Sequence, residues 1–179
     1  MPDAVFPDNT VLCNFAAVDR LDLLEGWLRG RGRWTEAVAH EAQRSADHLP
    51  ALVDVVRRGW LGEAVVVDLP KAVAAVEHLR RDVFGGTIDR PLQHLGEAQT
   101  CYLLQQNQAW AGAWWVSDDH DSLDYARFVG ITTRETIDIV CGVFADGDLT
   151  ASAGLELMRD MANAGRALRL PRSSSDLTS

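Results

Sequence analysis

Cysteine is scarce in this sequence, and its spacing does not suit metal binding or a disulfide framework. The three cysteines, Cys13, Cys101 and Cys141, are odd in number, lie far apart and show no CxxC pattern. Each has apolar neighbours, so we expect buried, reduced thiols. This argues against a disulfide-stapled fold and against a zinc site built from cysteine pairs.

Long apolar runs and several common catalytic signatures are also missing. The run Ala64–Val67 is far too short to cross a bilayer, and the first residues lack the basic and apolar parts of a secretory signal. No nucleotide-binding glycine loop, HExxH zinc motif or GxSxG serine elbow occurs. We therefore expect a cytoplasmic protein that does not contact a membrane.

Lysine is almost absent, and the charge is strongly acidic. Lys71 is the only lysine, and the formal net charge is −9. This balance counts against a non-specific nucleic-acid binder, although a metal nuclease is a partial exception because its bound cation neutralises acids. Arginine suits phosphate through its planar fork. Arg31, Arg33, Arg57 and Arg58 are therefore candidate RNA contacts, although a solvated helix face is the favoured interpretation for any single pair.

What is present predicts one α/β domain. The 179 residues, 47% of them hydrophobic, suffice for a sizeable core. Short strands are predicted at 4–7, 33–38, 64–67, 113–116 and 131–133. Helical spacing runs through 10–28 and recurs at 52–56, 70–79, 94–106, 134–144 and 151–164. Two further helices are predicted, one that carries His40 and Glu41 and one that carries Leu123 and Phe128 and ends at Gly130. This alternation predicts a three-layer α/β/α sandwich with a mainly parallel sheet over residues 1–170, followed by a polar, disordered tail at 171–179.

Acidic residues follow the predicted strands. Asp8 follows the first strand, and Asp118, Asp119 and Asp121 follow the 113–116 strand. Functional groups collect at the carboxyl ends of the strands in such sheets. Carboxylates gathered there repel one another unless a hard cation such as Mg²⁺ or Mn²⁺ lies between them. The pattern therefore predicts a divalent-metal site.

Two glutamates extend this group. Glu41 and Glu97 lie early in helices that follow loops, so both can reach the same sheet edge. Each acid also has a purely structural alternative. Asp8 and either Asp118 or Asp119 can cap helices, Glu41 can be a surface residue, and Glu97 can favour a helix dipole.

These residues carry a resemblance to the PIN-domain ribonucleases. Phe6–Leu12 (FPDNTVL) resembles the opening motif of that family, and Ala37–Glu41 (AVAHE) resembles the second. Leu95–Ala98 (LGEA) and Trp115–Asp119 (WVSDD) are similar to the third and fourth motifs, and Gly130–Thr133 (GITT) also follows the pattern. The order extends over about residues 4–165. The third acid is Glu97 where many relatives have aspartate, and the chain is longer than the small toxins of the family.

The resemblance implies a Rossmann-like sheet and Mg²⁺- or Mn²⁺-dependent endoribonuclease activity on single strands. It implies an acidic quartet of Asp8, Glu41, Glu97 and Asp119, in which Asp118 competes with Asp119. Asp118 and Asp121 are also candidate metal ligands because they follow the 113–116 strand. Thr10 would orient Asp8 or a water on the metal, and Ser117 would support it from the Ser-x-Asp pattern. Many relatives are VapC-type toxins, which implies an antitoxin partner, and a homodimer is a further expectation.

Two other functions fit the same residues. One is a non-catalytic interaction module that keeps the fold and has lost metal. The other is a phosphohydrolase that uses the same acids on a small molecule.

Overall fold

The central sheet has three short parallel strands. A computed structural model of the chain describes residues 2–178. In it β1 is Val5–Pro7, β2 is Trp114–Val116 and β3 is Thr132–Arg134, and the strands lie in the order β1-β2-β3. The register pairs Phe6 with Trp115 and Trp115 with Thr133. The predicted mixed α/β fold with a parallel sheet is confirmed.

Two extended segments continue the sheet beyond β1 as single bridges. Val5 bridges to Gly32, and Thr35 bridges to Val65, both in parallel orientation. The backbone N–H groups of Val5 and Arg33 bond to the carbonyls of Arg31 and Val5 over 2.9 and 2.8 Å. The chain therefore places 32–35 beside β1 and Val65 beside 32–35.

The predicted strands at 33–38 and 64–67 are wrong beyond these bridges. Thr35 ends the extended segment because its Oγ1 accepts a hydrogen bond from the backbone N–H of Val38 and caps the next helix. The predicted strand at 64–67 therefore has a neighbouring strand only at Val65, which pairs with Thr35. Val66 is accordingly 58% exposed despite its β-branched side chain.

Nine α-helices cover the sheet within residues 2–178. In chain order they are α1 (Asn9–Ala16), α2 (Leu21–Leu28), α3 (Glu36–Ser45), α4 (Leu52–Arg58), α5 (Pro70–His78), α6 (Leu95–Gln106), α7 (His120–Phe128), α8 (Thr136–Ala145) and α9 (Ala151–Asn163). A π-helical turn, Leu79–Val83, follows α5, and a 3₁₀ turn, Gln108–Trp110, follows α6. None of these described helices is both long and apolar enough to cross a membrane.

The helical spacing predicted through 10–28 is divided in the structure. Asp19 has a positive φ of 54° between α1 and α2. A left-handed residue cannot continue a right-handed helix, so the chain turns there and restarts.

Both faces of the sheet are buried. Val5 and Val116 face a core formed with helices α1 to α4, α8 and α9. The alternate residues, Phe6 and Trp115, face a second core formed mainly with α5, α6 and α7. Strand side chains alternate in direction, so strands buried on both faces must be apolar throughout. The two cores are compatible with an α/β sandwich.

The end of the chain is packed rather than disordered within the described residues. Ser174–Leu177 forms a 3₁₀ turn, and Leu177 is 1% exposed in the core beside α8 and α9. Composition predicts disorder for 171–179, but it cannot detect a single leucine that finds an apolar groove. All three cysteines are free, and Cys13 and Cys101 are buried.

Candidate metal centre

The residue after β1 is a buried aspartate. Asp8 is 3% exposed and caps α1, and its backbone N–H bonds to the carbonyl of Val116 over 2.8 Å. Thr10 Oγ1 donates to Asp8 Oδ2 over 2.7 Å, and the Thr10 backbone N–H donates to the same oxygen over 3.3 Å. Burial raises the pKa of Asp8, and the hydrogen bonds from Thr10 oppose that rise.

Ser117 joins the ends of β1 and β2. Its buried hydroxyl donates to Asp8 Oδ2 over 3.4 Å and accepts from the backbone N–H of Asp119 over 3.2 Å. Asp119 caps α7, because its Oδ1 accepts from the backbone N–H of Ser122 over 3.1 Å. One hydroxyl thus links two of the predicted acids.

Asp118 makes different contacts from its neighbour. Its Oδ2 accepts from Asn14 Nδ2 over 2.8 Å and from Thr136 Oγ1, and its Oδ1 accepts from the backbone N–H of Thr136 over 3.0 Å. Burial raises the pKa of Asp118 against the hydrogen bonds from Thr136. Both of its oxygens therefore tie β2 to the start of α8. Asp121 is exposed in the first turn of α7.

Glu41 comes close to the start of α6. A Cβ atom on Gly96 would lie only 3.0 and 3.2 Å from the two carboxylate oxygens of Glu41. Burial, and then the charges of Asp8 and Glu97, raise the pKa of Glu41 to about 8, against a backbone hydrogen bond from Gly96. The glycine of the Leu-Gly-Glu-Ala stretch thus permits the approach of α3.

Glu97 lies in the first turn of α6. Burial, and then the charge of Asp8, raise the pKa of Glu97 to about 7, while His94 opposes the rise. We call Asp8, Glu41, Glu97 and Asp119 the acidic cluster. The charges of Glu41, Glu97 and Asp119 all act on Asp8 or are acted on by it, so the four form one electrostatic unit.

His94 is the functional candidate that the sequence reasoning missed. Its Nδ1 lies 3.4 Å from Glu97 Oε1, and ligand atoms of His94, Glu97 and Asp119 all lie within 4.8 Å of one another. Imidazole and carboxylate are both ligands for divalent cations. His94 is the residue before α6 and has a left-handed backbone, so helical spacing could not predict its contact with Glu97.

The donor set fits a divalent cation. Carboxylates whose pKa values are raised by burial and by one another are stabilised when a cation takes the place of the protons. His94, Glu97 and Asp119 could hold such an ion, with Asp8 beside them through Ser117.

An open cleft of about 860 Å³ reaches one side of this site, at His94 and Glu97. Its lining includes Glu41 and Glu97, the imidazole of His94, and two exposed arginines, Arg44 and Arg90. Within the described residues neither arginine has a carboxylate within 4 Å.

The four predicted RNA-contacting arginines bond to the chain itself. Arg31 and Arg33 donate to backbone carbonyls near the end of α2, including that of Leu28 over 3.0 Å. Arg57 pairs with Asp54 at 2.6 Å, and Arg58 pairs with Glu25 at 2.7 Å. Because Gly32 pairs with Val5, Arg31 and Arg33 flank the start of β1 and not its acidic end.

Comparisons with known proteins do not identify this chain. No family model, no curated protein and no solved structure matches it.

Proposed function

We propose that this chain is a divalent-metal-dependent endoribonuclease with a PIN-like fold. The observation that carries the proposal is the acidic cluster, which lies with His94 at the carboxyl end of a parallel sheet beside an open cleft. Such a collection of one buried and three half-buried acids costs free energy in an empty protein, so its presence favours a site that a cation completes.

The bound cation would supply charge stabilisation of the reacting phosphoryl group and of its leaving oxygen. His94, Glu97 and Asp119 would hold it. Thr10 and Ser117 keep the Asp8 carboxylate oriented, since both donate to its Oδ2. A buried carboxylate held by two hydroxyl groups needs little reorganisation when a cation arrives, and this favours rapid and tight binding.

Glu41 is suited to hold a proton. Its pKa of about 8 keeps the carboxyl group protonated over much of the neutral range before a cation binds. General acids and bases work best when their pKa is close to the working pH. We assign Glu41 the role of a general acid or base in the wall of the cleft.

Arg44 and Arg90 favour a phosphate-containing substrate. They are exposed, they line the same cleft as Glu41 and Glu97, and they are free of the ion pairs that occupy most other arginines among residues 2–178. A guanidinium binds phosphate oxygens through two parallel N–H donors. The cleft is open, so an unpaired RNA strand can lie across it without a free end, as cleavage within a strand requires.

The bridges beyond β1 support the PIN-like assignment. With the bridges included, the parallel order across the sheet is Val65, 32–35, β1, β2, β3. After β1 the chain first adds 32–35 and Val65 on one side of β1, and it then adds β2 and β3 on the other side. Ligands bind at such a reversal of strand order in open α/β sheets. Asp8 follows β1, the strand at that reversal. A toxin role, an antitoxin, a homodimer and a cytoplasmic location stay predictions from the resemblance and the composition.

The test is cleavage of a pool of single-stranded RNAs with Mn²⁺, Mg²⁺ or EDTA. We expect cleavage by the wild type with metal, and none by Asp8→Asn. Asparagine still caps a helix, so that variant should fold. Asp22→Asn, which changes a carboxylate that is 63% exposed, is the matched control and should keep full activity. A wild type that binds Mn²⁺ but leaves every RNA intact would overturn the proposal.

The net charge of −9 favours a second candidate, a phosphohydrolase for small molecules, because a small ester contacts only the cleft and not the acidic surface. The same assay with an aryl phosphate monoester and a diester separates the two functions. Failure of the wild type to bind either metal would favour the non-catalytic module.

A further inference from the structure

The cleft loop, which we define as residues 84–94, joins the π-helical turn to α6 and contributes one wall of the cleft. It carries Arg90 and ends on His94. Within it only isolated turn hydrogen bonds occur, such as that from the Gln93 backbone N–H to the Arg90 carbonyl over 3.0 Å. A loop of this length needs another support to keep its side chains in place.

That support is the buried side chain of Arg80. It lies in the π-helical turn and is 1% exposed. Its NH1 group donates to the backbone carbonyls of Thr87, Arg90 and Gln93 over 3.1, 3.1 and 3.4 Å. One guanidinium therefore binds the cleft loop at three points along its length.

The backbone of the loop is fitted closely around this guanidinium. A Cβ atom on Gly86 would lie 2.6 Å from Arg80 NH1 and 2.9 Å from the Arg80 carbonyl. The Gly86 backbone N–H donates to that carbonyl over 2.8 Å. Only glycine fits here, so the loop and Arg80 form one packed unit.

The charge of Arg80 is balanced on the other side by Glu77. Arg80 Nε and NH2 donate to the two Glu77 carboxylate oxygens over 2.8 and 2.7 Å. A buried charge persists where a partner and further hydrogen bonds compensate its loss of hydration. This pair holds the guanidinium plane in the orientation that directs NH1 into the loop.

The last of the three carbonyls has a direct link to the metal centre. The Gln93 carbonyl belongs to the peptide unit that enters His94, and His94 has a positive φ of 59°. A histidine adopts this left-handed conformation at a free-energy cost, so its surroundings must hold it there. From that conformation its ring reaches Glu97 Oε1 at 3.4 Å.

We propose that Arg80 is a positioning residue that orders the cleft loop and so places His94 at the metal centre and Arg90 in the wall of the cleft. The proposal rests on the proposed function for what the loop serves, although the ordering itself does not. Lysine cannot replace Arg80, because a single ammonium cannot bind Glu77 at two points and the three carbonyls as well.

The experiment compares Arg80→Lys with Arg81→Lys in the full chain. Arg81 lies in the same turn, is 44% exposed and only approaches Glu77 at 4.0 Å. Hydrogen exchange of the metal-free proteins should show faster exchange at 85–94 in Arg80→Lys alone. Calorimetric titration with Mn²⁺ should show a dissociation constant raised about 10-fold or more in Arg80→Lys, as when partners of metal ligands are removed, and unchanged in Arg81→Lys.

A third variant, Val143→Ala, controls for general loss of stability, because Val143 is buried in the first core, which includes no residue of the cleft loop. If Arg80→Lys exchanges and binds Mn²⁺ as Val143→Ala does, the positioning role is overturned. Should Arg80→Lys not fold, Glu77→Gln replaces it, since Glu77 is 47% exposed. Unchanged exchange at 85–94 in that variant would overturn the proposal too. A wild type that neither binds Mn²⁺ nor cleaves RNA refutes the proposed function, whereas exchange in the metal-free protein still decides the role of Arg80.

Discussion

Adjacent aspartates in one motif have different environments. Asp118 uses both oxygens to hold Asn14 and Thr136, whereas Asp119 caps α7 with one oxygen and lies within ligand distance of His94 and Glu97. In an extended segment successive side chains point to opposite sides. The chain thus assigns one acid to the support of α8 and the other to the metal centre.

We therefore predict opposite results for the two amide variants. Asp119→Asn should lose Mn²⁺ binding and RNA cleavage with little change in stability, because asparagine keeps the cap of α7. Asp118→Asn should lower the free energy of unfolding by about 1–3 kcal/mol, since an amide cannot accept all three hydrogen bonds, and should keep most of its Mn²⁺ affinity. Urea unfolding and calorimetric titration of both variants measure this. Loss of Mn²⁺ binding in Asp118→Asn alone would make Asp118 the ligand.

The arginines allow a second prediction about single residues. Arg44→Gln and Arg90→Gln should each weaken RNA binding and reduce the slope of log affinity against log salt by about 0.7, the value for one phosphate contact on a single strand. The matched controls, Arg57→Gln and Arg58→Gln, remove guanidinium groups that are already paired with Asp54 and Glu25. Salt titrations of RNA binding by an inactive Asp8→Asn background measure the slopes. Weakened binding in the control variants alone would place the RNA along α4 instead.

Among the elements, the contact of α3 with α6 brings the two glutamates of the cluster together. Val38 and Glu41 both lie against Gly96, with the Val38 Cγ2 atom 3.1 Å from the position of an added Cβ. A close approach of two helices requires a small residue at the crossing. The distance between these helices therefore controls whether Glu41 reaches the cluster.

Alanine at two helical glycines should then have opposite effects on stability. Gly96→Ala should cost about 1–3 kcal/mol through overpacking, and it should weaken Mn²⁺ binding because the start of α6, which carries Glu97, must move away from Glu41. Gly26→Ala, in α2, meets nothing within 4 Å, so it should gain about 0.5–1 kcal/mol from helix propensity. Urea unfolding of both variants measures the free energies. A higher free energy of unfolding in both variants would mean that α3 and α6 are not closely packed at Gly96.

On the scale of the whole molecule, the buried acids link stability to pH. The folded-state pKa values of Asp8, Glu41, Glu97 and Asp118 are all raised, those of Glu41 and Glu97 to about 8 and about 7. The folded chain therefore binds more protons than the unfolded chain between the ordinary carboxylate range and about pH 8. Stability from these groups is fully present below their unfolded pKa values and is lost as the pH rises through the folded ones.

We predict that the metal-free protein melts at a lower temperature at pH 8 than at pH 5, and that Mn²⁺ reverses this loss. A cation that binds only the folded state adds about 2.7 kcal/mol at a hundred times its dissociation constant, and each kcal/mol corresponds to about 2–4 °C in a domain of this size. The gain should shrink at pH 5, where protons compete with the cation. Melting curves with EDTA or Mn²⁺ at both pH values measure it.

Two variants serve as controls for these melting curves. Asp8→Asn removes one charge from the cluster, so its metal-free form should melt at or above the wild-type temperature at pH 8 and gain little from Mn²⁺. Glu156→Gln changes an exposed glutamate of α9 and should behave as the wild type does. Equal melting temperatures for the wild type with and without Mn²⁺ at pH 8 would mean that the cluster binds no divalent cation.

Local patterns in the sequence determined which elements form and which acids follow them. The β-branched and aromatic residues of β1 and β2, the apolar spacing of α5 to α9 and the acids after the strands are all properties of neighbouring residues. Such properties act over a few residues, so the mixed α/β fold and the position of Asp8 and Asp119 at strand ends could be predicted. Glu41 and Glu97 were candidates because they lie early in helices that follow loops, and the resemblance placed them with Asp8 and Asp119 in one acidic quartet.

The tertiary structure alone decided what depends on distant neighbours. Val65 pairs for one residue because Thr35 leaves the sheet, and Leu177 is buried because α8 and α9 leave room for it. His94 reaches Glu97 through a left-handed backbone, and Arg44 and Arg90 line the cleft while the predicted arginines bond elsewhere. These outcomes depend on which of several possible partners, far apart in the chain, each residue contacts. Residue type and local spacing do not determine that choice.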